Sequence, residues 1–315
     1  MNKSTIKKLC IYCNISLLLA AFISGLSFVA QKLGMVYVGP FTFNTLRCLI
    51  GCAGLFVILF LFNNYMGGKQ REFYRDKNLL RGGVLAGVVL FIAFSINQYC
   101  MIYADAGKAG FITSLYIIFV PLLAVFLKHK LQSNVKISIA IALAGLYLLC
   151  AKDVMSFNSW DLWLLVSAFF FAVHIMILNQ YSRKSNPIKL SALQFLVAGV
   201  LSAPFMFIFE NPEITSIIAG WKPILFISLV VTAGAYTLQI FGHKAVKPVL
   251  ATLILSSEAV FAVLCGVVIL NETLSAREIV GCAVMFCAVI ISQVPIKNVL
   301  KISNKEAKYG SSDIK

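Results

Sequence analysis

Charge is what this chain has little of. Only 12% of its 315 residues are Asp, Glu, Lys or Arg, with 12 acidic against 27 basic, and histidine is rarer still at three. A soluble fold of this length could not hide the apolar surface of a chain that is 60% hydrophobic with a mean hydropathy of +0.90. Motifs that carry chemistry are missing too. There is no nucleotide-binding glycine loop after a strand, no His-Glu-x-x-His and no pair of membrane aspartates suited to intramembrane proteolysis. The acidic or basic ring of a channel is absent as well. Of nine cysteines, Cys10 and Cys13 form a CxxC without a second ligand pair, and the other seven sit in apolar runs as small packing residues. These absences argue against an enzyme and against a pore, and neither a metal nor a cofactor is expected.

What the chain does have is ten long apolar runs, near Leu9–Gln31, Phe41–Phe62, Leu80–Tyr103, Ala109–Leu127, Val135–Ala151, Trp160–Tyr181, Lys189–Phe209, Gly220–Phe241, Pro248–Leu270 and Arg277–Val294. About 20 apolar residues span a bilayer as a helix. Several runs are shorter than that, so the placement of charge is the second criterion. With a cytoplasmic N-terminus, 21 of the 27 Lys and Arg residues fall on the inner side, five fall on the outer side, and Arg47 lies within a span. One miscounted helix would invert every later loop and erase that bias. The expectation is therefore an all-α membrane protein of ten transmembrane helices in the inner (cytoplasmic) membrane, with both termini cytoplasmic.

The formal charge of +15 follows from this orientation and from contact with anionic head groups, not from affinity for nucleic acid. The basic stretch Lys297–Lys315 reads as a solvated cytoplasmic tail. Lys3, Lys7 and Lys8 before an apolar run imitate a secretory leader, but the run continues to Val29 and nine more follow, so it is expected to stay as the first helix. Loops between the runs are short, often under about ten residues, which leaves no room for a catalytic domain outside the membrane.

The second five runs resemble the first five. At an offset of 147, Pro40 meets Pro187, Phe43 meets Leu190 and Arg47 meets Gln194; at about 141, Gln98 meets Gln239; at 142, Lys130 meets Glu272. Residues 1–151 and 152–296 are thus expected to be two five-helix repeats, with 297–315 as the tail. Five is odd, so the repeats cross with opposite orientation, and a ligand site near the midplane between inverted repeats is the arrangement for alternating access.

The stretches Ala21-Phe-Ile-Ser-Gly-Leu-Ser-Phe-Val-Ala-Gln-Lys-Leu-Gly34 and Gly39-Pro-Phe-Thr-Phe-Asn-Thr-Leu-Arg47 resemble the opening of an EamA domain of the drug/metabolite transporter superfamily. Leu255-Ser-Ser-Glu-Ala-Val-Phe261, Leu270-Asn-Glu-Thr-Leu274 and Gly281 resemble its closing pair of helices. The resemblance runs from about residue 12 to 294 as two tandem copies. It implies an inner-membrane carrier of small metabolites, chiefly an exporter of amino acids and related compounds, with importers and exchangers among its members. One departure is Lys130, which stands where the family often has the Glu that Glu272 supplies in the second copy.

Ionisable groups within spans are costly, about 2.5–3.5 kcal/mol each at a helix centre on insertion scales, so each needs a partner or a use. Glu258, ten residues into the ninth run, is close to mid-bilayer. It is the candidate for proton coupling, with helix-to-helix hydrogen bonding as the structural alternative. Arg47 offers a planar fork suited to a substrate carboxylate, to Glu258 or to backbone carbonyls. His174 can carry a proton near neutral pH or serve as a packing residue. Among amides, Asn44, Asn97, Gln98, Gln194 and Gln239 must find partners inside the bundle, whereas Asn179 and Gln180 fall near the cytoplasmic surface. Arg47/Gln194 and Gln98/Gln239 are the pairs expected to line a cavity, and Tyr99, Tyr103, Tyr116 and Tyr236 are candidates for its apolar walls. Trp160, Trp163 and Trp221 fall where an interfacial belt would place them.

The function expected is a secondary-active carrier moving a small molecule, an amino acid or a related compound, outward across the lipid bilayer. The alternatives are import or exchange of a nucleotide-like or drug-like metabolite, and a membrane partner protein that transports nothing.

Overall fold

The computed structural model describes residues 3–66, 76–104, 106–128, 133–154, 159–270 and 275–293. Lys130, Glu272 and the basic tail lie outside the described residues. Among those described every regular element is helical, as a hydrocarbon surround demands, because it offers no partner to a backbone N–H or C=O.

The chain runs through α1 (Lys3–Gly34), α2 (Pro40–Met66), α3 (Lys77–Cys100), α4 (Ala106–Ser114), α5 (Tyr116–Phe126) and α6 (Ser133–Val154). It continues through α7 (Ser159–Tyr181), α8 (Pro187–Phe209), α9 (Ile214–Ala219) and α10 (Trp221–Leu225) into a π-helical segment (Phe226–Ala235). Then come α11 (Tyr236–Gly242), α12 (Pro248–Leu255), α13 (Glu258–Leu270) and α14 (Ala276–Gln293). Pro40, Pro187 and Pro248 each begin a helix, where a missing N–H costs nothing and φ is already helical.

Eight stretches among the described residues are long and apolar enough to cross a membrane, against the ten expected. The fifth and tenth expected runs correspond to α6 and α14. Of α6, the described stretch Ser133–Leu149 is apolar but shorter than a span. The perimeter is apolar: Phe126, Phe207 and Ile214 are more than 60% exposed, as lipid-facing side chains are.

Helix pairing maps onto itself when the two halves are exchanged. α2 packs on α8 and α6 on α14; α3 on α7 corresponds to α1 on the π segment and α11; α3 on α8 corresponds to α2 on the π segment; α4–α5 on α7 corresponds to α1 on α12–α13. The turns repeat as well. Met35 N donates to Gln31 O at 3.1 Å and Ser182 N to Leu178 O at 2.8 Å, 147 residues on; Met101 N donates to Asn97 O and His243 N to Gln239 O, both at 3.1 Å, 142 residues apart.

Where helices approach most closely, glycine makes room, since packing rather than hydrophobic exclusion joins helices in lipid. A Cβ on Gly145 would stand 2.8 Å from Met285 Cγ and 2.9 Å from its backbone nitrogen, and one on Gly281 would stand 2.8 Å from Leu149 N. Gly145→Val is therefore expected to destabilise the α6–α14 pair by about 1–3 kcal/mol, read as a lower melting temperature of purified protein. Gly234→Ala is the control, since its Cβ would meet nothing nearer than 3.6 Å.

Candidate functional site

Two of the spans are broken, at corresponding places. α4 gives way to α5 at Leu115, where Leu115 N bonds to Ile112 O and Ile118 N to Leu115 O with three-residue spacing. α12 gives way to α13 at Ser256 and Ser257, whose hydroxyls donate back to Leu253 O at 2.9 Å and Ile254 O at 2.6 Å. Such back-bonding competes with the helix ladder and bends it. The first residues after the breaks are Tyr116 and Glu258, again 142 apart, and the Tyr116 hydroxyl donates to Glu258 Oε1 at 3.0 Å. Glu258 is thus held against its own counterpart in the other half. Its place in the first turn of α13 also suits a negative charge, because the aligned peptide dipoles leave that end of a helix positive.

This pair lies on the wall of a cavity of about 70 Å³. Fourteen of its seventeen lining residues are related by the 147 and 142 offsets: Ser24 with Phe171, Ser27 with His174, Phe28 with Ile175, Phe94 with Tyr236, Asn97 with Gln239, Thr113 with Leu255, and Tyr116 with Glu258. Three lining residues, Gln31, Arg47 and Val231, have no lining counterpart. The cavity is therefore built from equivalent positions of both halves, and its polarity comes from where the halves differ.

Arg47 is fully buried in α2. Its Nε donates to Thr232 Oγ1 at 3.4 Å, its Nη1 donates to Gln31 Oε1 at 3.5 Å, and its guanidinium carbon sits 4.0 Å over the Phe94 ring. These are long contacts to neutral partners, and no described carboxylate pairs with it. The π segment positions one of them: its i→i+5 winding carries Val231 to the cavity and Thr232 to Arg47, and such winding is common at functional sites. Gly51 allows the approach, since a Cβ there would stand 2.8 Å from both Ser228 O and Thr232 Cγ2.

Of the seven candidates named from sequence, Arg47, His174, Gln239 and Glu258 line the cavity. Asn44, Gln98 and Gln194 are buried in the packing around it. Gln194 Oε1 meets His174 Nε2 at 3.0 Å, so it orients a lining residue without being one. Gln98 needs a correction. The turn hydrogen bonds set the relation at 142, which pairs Gln239 with Asn97 and Gln98 with Ile240, and one residue along a helix is about a 100° rotation to another face. Asn97, not Gln98, faces the cavity, and its Nδ2 donates to Thr113 Oγ1 at 2.8 Å. Of the four tyrosines, Tyr116 and Tyr236 line it, while Tyr99 and Tyr103 stand outside with Trp160, whose ring stacks on Tyr103 at 4.2 Å. Sequence reasoning missed Ser24, Ser27 and Gln31, although their spacing of three and four marks one helical face.

A multi-pass helical membrane protein, made of a duplicated unit with polar side chains gathered between the copies, is a transporter in class. Residues 11–151 and again 158–293 match the EamA-like transporter family, and the chain belongs to it, within the drug/metabolite transporter superfamily. A protein of Archaeoglobus fulgidus named an uncharacterized transporter is 31% identical, over 89% of this chain and 85% of its own length. The Bacillus subtilis protein named uncharacterized transporter YoaV is 22% identical, over 85% and 92%. A solved crystal structure 18% identical in sequence superposes with a TM-score of 0.71, over 93% of this chain and 97% of that one, which shows a shared fold.

A guanidinium buried among neutral partners is a burden on stability that a methionine of similar reach does not carry. Arg47→Met is expected to raise the melting temperature of the purified protein while abolishing transport, a trade typical of functional positions. A lower melting temperature would make Arg47 a structural anchor instead.

Proposed function

We propose that this transporter is a secondary-active carrier of the inner membrane that moves a small carboxylate-bearing metabolite, an amino acid or related compound, outward. It works by alternating access between two inverted five-helix repeats, 1–151 and 152–296, with both termini and the basic tail in the cytoplasm. The self-mapping helix pairing supports the inverted arrangement, and the bias of basic residues supports the orientation.

One observation carries the substrate reading: Arg47 faces the cavity, fully buried, with donors that no described carboxylate engages. Its planar fork suits a substrate carboxylate. Glu258, on the same wall, binds either a proton or the ammonium group of an amino acid. Proton arrival from outside then releases the substrate there, and substrate arrival from inside expels the proton, so a proton gradient drives export. Asn97 and Gln239 supply neutral hydrogen bonds from the two halves, and His174 is fixed by Gln194. At about 70 Å³ the cavity has room for a few waters, not for a ligand site of the usual 300–1,000 Å³. Loading therefore requires the walls to separate, as alternating access provides.

The test is counterflow in proteoliposomes against a panel of amino acids, nucleotides and small metabolites, with and without a pH gradient. Saturable, gradient-dependent movement of one amino-acid class is expected. Glu258→Gln should abolish the response to the gradient while the protein still inserts. Arg47→Lys should reduce flux by about tenfold or more, which is more than loss of a charge predicts, since the charge is kept. Normal flux and pH dependence in Glu258→Gln would remove that residue from the mechanism, and flux of no solute would sink the carrier reading.

A further inference from the structure

We propose that Lys32 and Glu210 form a charged latch across the outer face, and that this latch holds the outer side of the unloaded carrier closed. The names of the two faces rest on the orientation proposed above; the latch itself rests on contacts.

The first contact joins α1 to α3. Lys32 Nζ, half-buried, donates to Ala104 O at 2.9 Å and Met101 O at 3.1 Å, at the C-terminal end of α3 where carbonyls lack helical partners. Adding 147 to Lys32 gives Asn179, and adding 142 to Ala104 gives Val246. Asn179 Nδ2 donates to Val246 O at 3.1 Å, the same tie at the opposite end of the bundle. Only the first tie is charged, and a cation on a helix C-terminus is further favoured by the peptide dipoles.

The second contact joins α8 to α2. Phe41 N donates to Glu210 Oε1 and Thr42 N to Glu210 Oε2, both at 2.7 Å, so a carboxylate at the end of α8 caps the start of α2. The counterparts of Phe41 and Thr42 are Ile188 and Lys189. Their N–H groups donate to Asn186 Oδ1 at 2.9 and 3.3 Å, a cap supplied from within the same turn. Asn186 in turn corresponds to Gly39. A Cβ on Gly39 would stand 2.4 Å from Glu210 Cδ and 2.5 Å from Oε2, so the glycine is what admits the distant carboxylate. The two faces thus use the same backbone positions in different ways. Opening the outer side breaks two charge-assisted ties between spans, and the described inner counterpart of the first of them is neutral.

The test is hydrogen exchange by mass spectrometry on the full chain in lipid nanodiscs, without substrate. The turns at 35–42 and 101–104 are compared with those at 182–189 and 243–246. Lys32→Gln and Glu210→Gln are expected to speed exchange at the outer turns about tenfold and leave the inner turns unchanged. Asn179→Ala should do the reverse, by less. Gly39→Asn separates a latch from a simple helix cap, because it gives α2 a local cap while displacing Glu210. As a latch, it loosens the outer turns as Glu210→Gln does. Unchanged outer turns in Lys32→Gln and Gly39→Asn, or equal loosening of both faces or of the α6–α14 pair, would overturn the proposal. Trypsin cleavage of the tail in right-side-out and inverted vesicles reads orientation separately. A tail cut from outside would refute the orientation and exchange the names of the faces, with the latch intact.

Discussion

Hydrocarbon accepts no hydrogen bonds, and the rest of this structure depends on that constraint. It forces the chain into helices, and it forces every polar side chain within a span to turn inward. Because the chain holds two copies of one unit, equivalent positions turn inward to the same place. The cavity between the copies is therefore a consequence of duplication in lipid, before any selection for a ligand. Seven matched pairs on its wall are the trace of that origin.

Duplication supplies shape; divergence supplies chemistry. At each matched position the halves differ: Ser27 against His174, Thr113 against Leu255, Tyr116 against Glu258. Had the copies stayed identical, the cavity would carry two carboxylates or none. With Tyr opposite Glu, the single carboxylate receives a hydrogen bond at 3.0 Å from its own counterpart. The unmatched polar members, Arg47 and Gln31, hydrogen-bond each other and concentrate positive potential in one half. An asymmetric binding surface inside a nearly symmetric frame is what alternating access asks for: the frame lets either side open, and the surface keeps one substrate orientation in both states.

Much of this was legible in the residues, and what was not has physical reasons. The apolar runs and the duplication follow from composition and spacing, and Arg47, His174, Gln239 and Glu258 stood out because charge or amide inside a span is conspicuous. Asn97 was hidden beside Gln98: adjacent amides look alike in a sequence, while an offset of 141 against 142 decides which faces inward. The turn hydrogen bonds fix the offset, and no residue identity does. Tyr116 is an ordinary aromatic until the same offset sets it against Glu258. Asn179 looked like an unremarkable surface amide, and only its match to Lys32 gives it meaning. Lys32 and Glu210 were invisible as partners, since their contacts lie 72 and 169 residues away along the chain.

Some buried amides keep polar atoms without a partner in the conformation described. Both polar atoms of Asn44 and of Gln98 find no protein hydrogen-bond partner, nor does Gln194 Nε2. A buried, unpaired amide is destabilising by about 1–3 kcal/mol, and native structures keep few of them. All three residues sit on α2, α3 and α8, whose close approach is set by glycine: a Cβ on Gly87 would stand 2.7 Å from Gln194 O, and one on Gly199 2.7 Å from Leu49 Cδ2. Surfaces joined by glycine, without large interlocking side chains, slide at low cost. In a carrier with two states, amides unpaired in one state gain most from a shift that pairs or hydrates them in the other. They narrow the free-energy gap between states that the charged latch widens, and a carrier turns over only while that gap stays within a few kcal/mol.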